Sequence, residues 1–334
     1  MRKWRERVRG LIERRLNALW YGSGDPPLLL RGMSRLYRLA LGRRWHRPAA
    51  RPPIPVIVVG NLTAGGTGKT PVVIALARHL AGLGQPVAVI SRGYGAAAAR
   101  VVIRVDADSD PARSGDEPVL IARRAQVPVY VARRRDAALA RAVAEGARIV
   151  ISDDGLQHAR LARSLELCVV DGQRGLGNGW LLPAGPLRQP VERLEAVDQV
   201  LIKGAGWTRP GGLQFELVPE ALQRLDGGRS RPPEALSGQA VDALCAIANP
   251  RAFAATLEQL GMQTRLHAFP DHHAFRVDDL RGLAGPIVTT AKDAVKLERL
   301  STGQAIDVLH VGARLPDPVI GQVERHVREF ADGE

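Results

Sequence analysis

The feature that most constrains the fold is the stretch from Ile54 to Thr70, IPVIVVGNLTAGGTGKT. An apolar, β-branched run ends at a glycine. A loop with three further glycines follows, then Lys69, Thr70 and a helical pattern. This is the strand–loop–helix order of a P-loop. Gly65, Gly66 and Gly68 lack a Cβ, so the backbone can curl around a phosphate and turn its N–H groups inward. Helix initiation near Lys69 adds a positive dipole end. Lys69 is expected to reach the β/γ-phosphates and the Thr70 hydroxyl to hold Mg²⁺. The usual spacing has a glycine where this chain has Thr63. A glycine-rich turn with no ligand is the plain reading of such a loop. The strand, the glycines and the helix together favour nucleoside triphosphate binding through Thr63, Gly65, Gly66, Thr67, Gly68, Lys69 and Thr70.

Downstream, strands and helices alternate with short connections, which predicts an α/β fold: a mostly parallel P-loop NTPase-like sheet with helices on both faces. Strands are expected at 86–90, 101–105, 127–131, 147–151, 199–203 and 213–218, and helices at 70–83, from 116, and at 136–145. Residues 172–190, rich in Gly, Pro and Arg, read as a long ordered loop, a kind of segment often tied to function. The composition shift at Asp226–Pro233 marks a linker. The predicted organisation is an arm over 1–50, a P-loop core over 51–225, a linker over 226–240 and a smaller α/β domain over 241–334. In that last domain strands are expected at 244–248, 263–268, 287–290 and 308–311, with helices at 251–260 and 318–330.

Of the net charge of +13, +11 falls within the first 51 residues. Such a basic segment seeks an anionic partner. Trp4, Val8, Leu11, Ile12, Leu16, Leu19 and Trp20 form an apolar stripe at helical spacing, and Leu28–Leu30, Met33, Leu36, Tyr37 and Leu41 continue it. Arginines flanking tryptophans on an amphipathic helix suit a membrane interface. Docking of the stripe on the protein's own core is the other reading, and the two can hold for different halves. Neither stretch is long or clean enough to span a bilayer, and no signal-peptide pattern is present. With aromatic residues at 4%, stacking on nucleic acid bases is disfavoured, so no nucleic acid partner is expected. The expected partner is an anionic membrane surface bound through residues 1–45. Cys168 and Cys245 lie far apart in apolar runs and read as reduced core residues.

Asp153 and Asp154 follow an apolar strand and suit a Walker-B role, one of them holding Mg²⁺ opposite Thr70, with Asp153 the better placed. Asp116 and Glu117 either cap a helix or present carboxylates near the phosphates. Phe269-Pro270-Asp271-His272-His273 has too few ligands for zinc, but a histidine there could face a carboxylate and act as a base. Asp154–His158 and Leu182–Arg188 read as substrate-facing loops. Thr289–Asp293 is either a plain helix start or a contact to the nucleotide or domain interface.

GNLTAGGTGKTP, SRGYG, SGDEP, SDDGLQH, LPAGPLR, NP-R-F, FPDHH and TTAKDAVK occur in this order over nearly the whole chain. Together they resemble the tetraacyldisaccharide 4'-kinase family of lipid A biosynthesis. The resemblance implies transfer of the γ-phosphate of ATP to the 4'-hydroxyl of a tetraacylated glucosamine disaccharide 1-phosphate, with ATP and Mg²⁺. It implies a peripheral or monotopic enzyme on the cytoplasmic face of the inner membrane, acting as a monomer. Asp116 and His272 resemble the family's base dyad, with His273 the alternative partner, and Lys69 acts with them. Arg92, Tyr94, Glu117, His158 and Arg188 are implied substrate contacts, and Thr70, Asp153 and Asp154 the metal site. Apart from the resemblance, a P-loop switch or metallochaperone-type NTPase acting through partners is the competing reading. It would have no need of a base contributed from a second domain.

Overall fold

The structure is a computed structural model that describes residues 15–22, 24–42, 51–93, 101–271, 273–300 and 303–333. The first part of the amphipathic arm, Tyr94 and His272 lie outside the described residues. The described strands form one twelve-stranded sheet. At its centre β1 (Val56–Gly60) lies parallel between β5 (Ile149–Asp153) and β6 (Leu165–Asp171). Beyond β5 come β2 (Val87–Ser91), β4 (Val129–Val131) and β3 (Ile103–Val105). Beyond β6 come β7 (Gln199–Lys203), β8 (Leu213–Arg224), β12 (Ile306–Arg314), β11 (Ile287–Thr290), β9 (Ala240–Cys245) and β10 (Gln263–Ala268). Among the described strands only β3–β4 and β8–β12 pair antiparallel, so the expected mostly parallel α/β sheet is what the chain builds.

The uninterrupted apolar run of β1 follows from burial on both faces. Ile57 and Val59 pack into one core with α2 (Lys69–Gly82) and α4 (Asp116–Ala125). Val56 and Val58 face the other core, with α5 (Arg135–Ala144) and the apolar residues Leu181 and Leu187 of the long loop. The short α3 (Pro111–Ser114) leads into α4. In the C-terminal half, α6 (Pro250–Gln259) and α7 (Ala291–Leu297) cover β9–β11 around two further clusters.

Two differences from the sequence reading have clear physical causes. The strand expected to end near residue 218 runs on to Arg224. Its first residues pair parallel with β7, and Glu216–Arg224 pair antiparallel with β12, so one strand carries the sheet through both halves. The last helix, α8 (Asp317–Asp332), returns to the first half: Val319 and Val323 are buried in the core of Ile57 and Val59. His79 Nε2 lies 2.7 Å from Glu324 and His326 Nε2 lies 2.8 Å from Ser164 Oγ, fastening it there.

Residues 15–21 are helical, and α1 (Leu28–Leu41) follows. The apolar residues of α1 divide. Tyr37 packs against the protein, whereas Leu28, Leu29, Leu36 and Leu39 are each at least 67% exposed. Residues 172–190 form the expected ordered loop, held between this N-terminal segment and the phosphate loop. Asn178 N–H donates to Trp20 O at 2.8 Å, Ser34 Oγ donates to Leu181 O at 2.6 Å, and Ala64 N–H donates to Pro186 O at 2.7 Å. The Leu182–Pro183 peptide is cis. Cys168 and Cys245 are free and buried. Among the described residues no helix is long and apolar enough to cross a membrane.

Candidate active site

The carboxyl ends of β1, β2, β5 and β6 meet at one edge of the sheet, where open parallel sheets bind ligands. Gly60, Ser91, Asp153 and Asp171 end these strands. From Gly60 the chain turns through Asn61–Gly68 into α2. Gly65 (φ 106°) and Gly68 (φ 94°) adopt backbone angles that L side chains rarely reach, which is why glycine stands at both. Thr63 pairs through its backbone with Leu187 of the long loop. The Thr67 hydroxyl is buried without a partner, and Thr70 is the second residue of α2.

Lys69 opens α2, where the positive end of the helix dipole adds to its own charge. Its Nζ donates to Asn61 Oδ1 at 3.0 Å and lies 3.6 Å from Asp154 Oδ1. Arg188, from the long loop, grips Asp154 with both terminal nitrogens, at 2.9 and 2.8 Å, and also bonds Asn61. Asn61 thus organises the lysine and the arginine together. The motif spacing does not single it out, although a polar residue directly after a buried strand is a usable signal.

The neighbouring carboxylates have opposite surroundings. Burial disfavours charge on Asp154, but Lys69 and Arg188 hold its carboxyl well below the usual range. Its left-handed backbone (φ 51°), unusual for a residue with a Cβ, aims it at them. Asp153 is buried, and its Oδ1 has no hydrogen-bond partner. Burial, together with the negative charges of Glu117 and Asp154, pushes its carboxyl up to about 7. A cation placed beside this carboxyl would favour its charged form. Among the described residues no group of three or more His, Cys, Asp or Glu gathers to hold a metal alone. A divalent ion at Asp153 would therefore share its shell with phosphate oxygens, as at other P-loop sites.

Arg135, at the head of α5, is a residue the sequence reading missed, since nothing separates it from its neighbours Arg133 and Arg134. It is buried, its Nη2 donates to the Asp153 carbonyl at 2.7 Å, and burial pulls its guanidinium down to about 10. His158 lies beside this charge. Burial, then the positive charges of Arg135 and Arg92, push its imidazole down to about 4, so it is neutral at pH 7. Arg92 follows β2 and so belongs to the same edge.

Asp116 is the first residue of α4. Its neighbour Glu117 lies 3.0 Å from Lys292 Nζ, and Lys292 lies 3.3 Å from Asp271 of the Phe269–His273 segment. Lys292 thus joins the α4 head to that segment. Thr290 caps α7 by accepting from Asp293 N–H at 3.2 Å, so Thr289–Asp293 is a helix start that also places Lys292 at this junction. His273 is otherwise engaged. Its Nε2 lies 2.9 Å from Asp279, and its ring stacks on Phe269 at 4.6 Å.

With this geometry, similarity to known proteins is informative. A sequence model of the family described as Tetraacyldisaccharide-1-P 4'-kinase (LpxK) matches residues 27–328. The chain is 49% identical over 292 residues to the tetraacyldisaccharide 4'-kinase of Pseudomonas aeruginosa (strain LESB58), covering 84% of this chain and 88% of that one. It is 47% identical over 307 residues to the enzyme of that name from Alkalilimnicola ehrlichii, covering 90% of each. A crystal structure of LpxK from Aquifex aeolicus, described as an "apo" form in complex with ATP, superposes with a TM-score of 0.71 at 26% identity. The superposition covers 89% of this chain and 98% of that one. The phosphate loop, the strand-end carboxylates and these matches lead to one conclusion: the chain belongs to the tetraacyldisaccharide-1-P 4'-kinase family.

Proposed function

We propose that this chain transfers the γ-phosphate of ATP to the 4'-hydroxyl of a tetraacylated glucosamine disaccharide 1-phosphate, a lipid A precursor. The observation that carries this reading is Lys69 at the head of α2, 3.6 Å from Asp154, beside the unpartnered buried Oδ1 of Asp153. In this reading the loop Thr63–Gly68 cradles the phosphates, and Lys69 leaves Asn61 to neutralise charge on the transferring group. Thr70 and Asp153 would hold Mg²⁺, with Asp154 fixed by Arg188 as the supporting carboxylate. The ion would supply charge neutralisation on the phosphates when bound.

A sugar hydroxyl is a poor nucleophile at neutral pH, so its proton needs an acceptor. Asp116 with His272 is the proposed pair. Its support is the Glu117–Lys292–Asp271 bridge, which joins the sequence neighbours of both residues. The Asp279 contact of His273 leaves His272 the better partner. Arg92, Tyr94, Glu117, His158 and Arg188 are the proposed acceptor-side contacts. The exposed leucines of α1, alternating with Arg31, Arg35 and Arg38, support a peripheral seat on an anionic membrane surface, and the need for ATP assigns that seat, in this reading, to the cytoplasmic face of the inner membrane.

The test is transfer of labelled γ-phosphate from ATP to the disaccharide lipid in mixed micelles. Asp116→Ala is expected to lower kcat by about 10²–10⁴-fold, the usual worth of a general base. Label appearing only as inorganic phosphate, with or without the lipid, would overturn the kinase reading. Wild-type rates in Asp116→Ala would remove the base assignment alone.

A further inference from the structure

Arg174 lies in the long loop, shortly after the β6 strand end. A methyl group placed on Gly65, at the tip of the phosphate loop, would lie 3.9 Å from its Nη1. The guanidinium is held by neutral groups from two other parts of the chain. Nη2 donates to the Ala248 carbonyl at 3.2 Å, and the Tyr21 ring lies under it at 5.3 Å. Among the described residues no carboxylate forms an ion pair with it, in contrast to Arg188, which is paired with Asp154. Asp171 fixes the root of the side chain by accepting from the backbone N–H of Gln173 and Arg174 at 3.0 and 3.3 Å, while its other oxygen takes Lys203.

A guanidinium with no ion-pair partner, placed beside this loop, can take an anionic one. In a phosphate loop the N–H groups of the tip turn toward the terminal phosphate. The tip residue beside Arg174 is a glycine at φ 106°, so this residue puts no side chain of its own beside the guanidinium. A planar fork of N–H donors suits the equatorial oxygens of a phosphoryl group in transfer.

We propose that Arg174 is a catalytic residue of this chain, an arginine supplied in cis that contacts the γ-phosphoryl group as it transfers. The proposal rests on the phosphate-loop reading above. During transfer the bond from the γ-phosphorus to the β–γ bridging oxygen breaks. Its electron pair stays with ADP, and the acceptor oxygen bonds the phosphorus while its proton passes to the base. Negative charge on the equatorial and bridging oxygens is what Arg174 stabilises. Because Tyr21 belongs to the N-terminal segment and Ala248 to the C-terminal half, the guanidinium is aimed only when both are docked.

The experiment compares Arg174→Ala and Arg174→Lys with wild type and with Lys69→Ala in the labelled-ATP assay. It is joined to retention of ADP with aluminium fluoride, a mimic of the transferring phosphoryl group. The expected result for Arg174→Ala is a fall in kcat of about a thousandfold, within the range known for arginines of this kind. The ATP KM should stay within about threefold, and retention of ADP–aluminium fluoride should be lost. Arg174→Lys keeps the charge without the fork and is expected to remain at least about tenfold slow. The proposal is overturned if kcat of the lysine variant, or of a folded alanine variant, stays within about threefold of wild type. It is equally overturned if the loss lies in ATP KM and thermal stability alone, since that is the mark of a tether between Tyr21 and Ala248. A fully active Lys69→Ala would instead sink the phosphate-loop reading itself.

Discussion

Two buried aspartates, one ending a strand of the sheet and one opening a helix just beyond another, show how differently its halves use charge. Asp293, in the C-terminal half, is fully buried and fully engaged. One oxygen accepts from Ala246 N–H at 2.9 Å and Thr290 Oγ at 2.8 Å, and the other takes Lys296 Nζ at 2.7 Å. Asp153, at the end of β5, is 3% exposed and leaves Oδ1 with no partner. Among the described residues nine buried side-chain polar atoms lack a partner. Seven of them belong to Thr67, Arg135, Ser152, Asp153, Gln157 and Arg188, around the phosphate loop. An unsatisfied buried polar group costs about 1–3 kcal/mol, so a cluster of them is not a neutral feature of folding. The C-terminal half uses its buried charge to fix a helix start and a strand end. The phosphate-loop half leaves polar groups open, which is the condition for a ligand to bind them.

The largest expected effect tests whether the open groups are there for phosphate. Lys69→Ala should lower phosphoryl transfer by about 10³-fold or more, because the loop loses the ammonium that sits at the head of α2 and is expected to meet the β/γ-phosphates. Its thermal midpoint should change little, since the Lys69 contact to Asp154 is long and Arg188 still holds that carboxylate. Retained transfer, measured with labelled ATP, would end the comparison at its functional side.

The aspartates themselves provide the next test. At pH 8, Asp153→Asn should cost about a hundredfold or more in kcat while leaving the urea midpoint unchanged or raised, because it removes a buried charge whose oxygen has no partner. Asp293→Asn should do the reverse. It leaves the ammonium of Lys296 beside a neutral amide and is expected to lose about 3 kcal/mol of stability. Specific activity of the folded fraction should be kept. Equal destabilisation by the two substitutions would dissolve the distinction between engaged and open carboxylates.

The difference between the halves also governs what was legible in the sequence. The phosphate loop, the strand-end aspartates and the alternation of strands and helices announce themselves, because each is a local pattern: a run, a glycine spacing, a charge after an apolar stretch. Asn61 and Arg135 do not. Their roles depend on which strands become neighbours, and one polar residue after β1 or one arginine in a run of arginines carries no mark of that. The reach of β8 to Arg224 was hidden for a related reason. Its partner β12 lies far along the chain, so the pairing that extends it is absent from the local pattern. The return of α8 to the core of Ile57 is non-local in the same way. The divided face of α1 shows the limit from the other side. Periodicity finds the apolar residues, but only packing decides that Tyr37 turns inward while Leu28, Leu29 and Leu36 stay exposed.

Two histidines sharpen the comparison at its smallest scale. Burial pushes His158, at the site, and His310, on β12, each down to about 4. Nearby positive charge adds to this, from Arg135 and Arg92 at the first and from Arg124 at the second. In the unfolded chain both should titrate near the usual value of about 6.5. Between about pH 4 and 6.5 the unfolded chain therefore binds more protons than the folded one, so stability should rise as pH climbs through that window and level off above it. Replacing either histidine with glutamine should flatten this rise, read as the difference between urea midpoints at pH 5 and pH 7.5. At pH 7.5 the two variants should part. His158→Gln should raise KM for the disaccharide lipid by up to about tenfold, the worth of one hydrogen bond to a polar ligand. His310→Gln should leave that KM where it was. Desolvation acts alike on both rings, but Arg124 and Glu220 beside His310 already pair with each other. His158 instead stands next to Arg135, whose open nitrogens belong to the unsatisfied cluster at the phosphate loop. Equal KM values in the two variants would mean that this cluster does not extend to the acceptor side of the site.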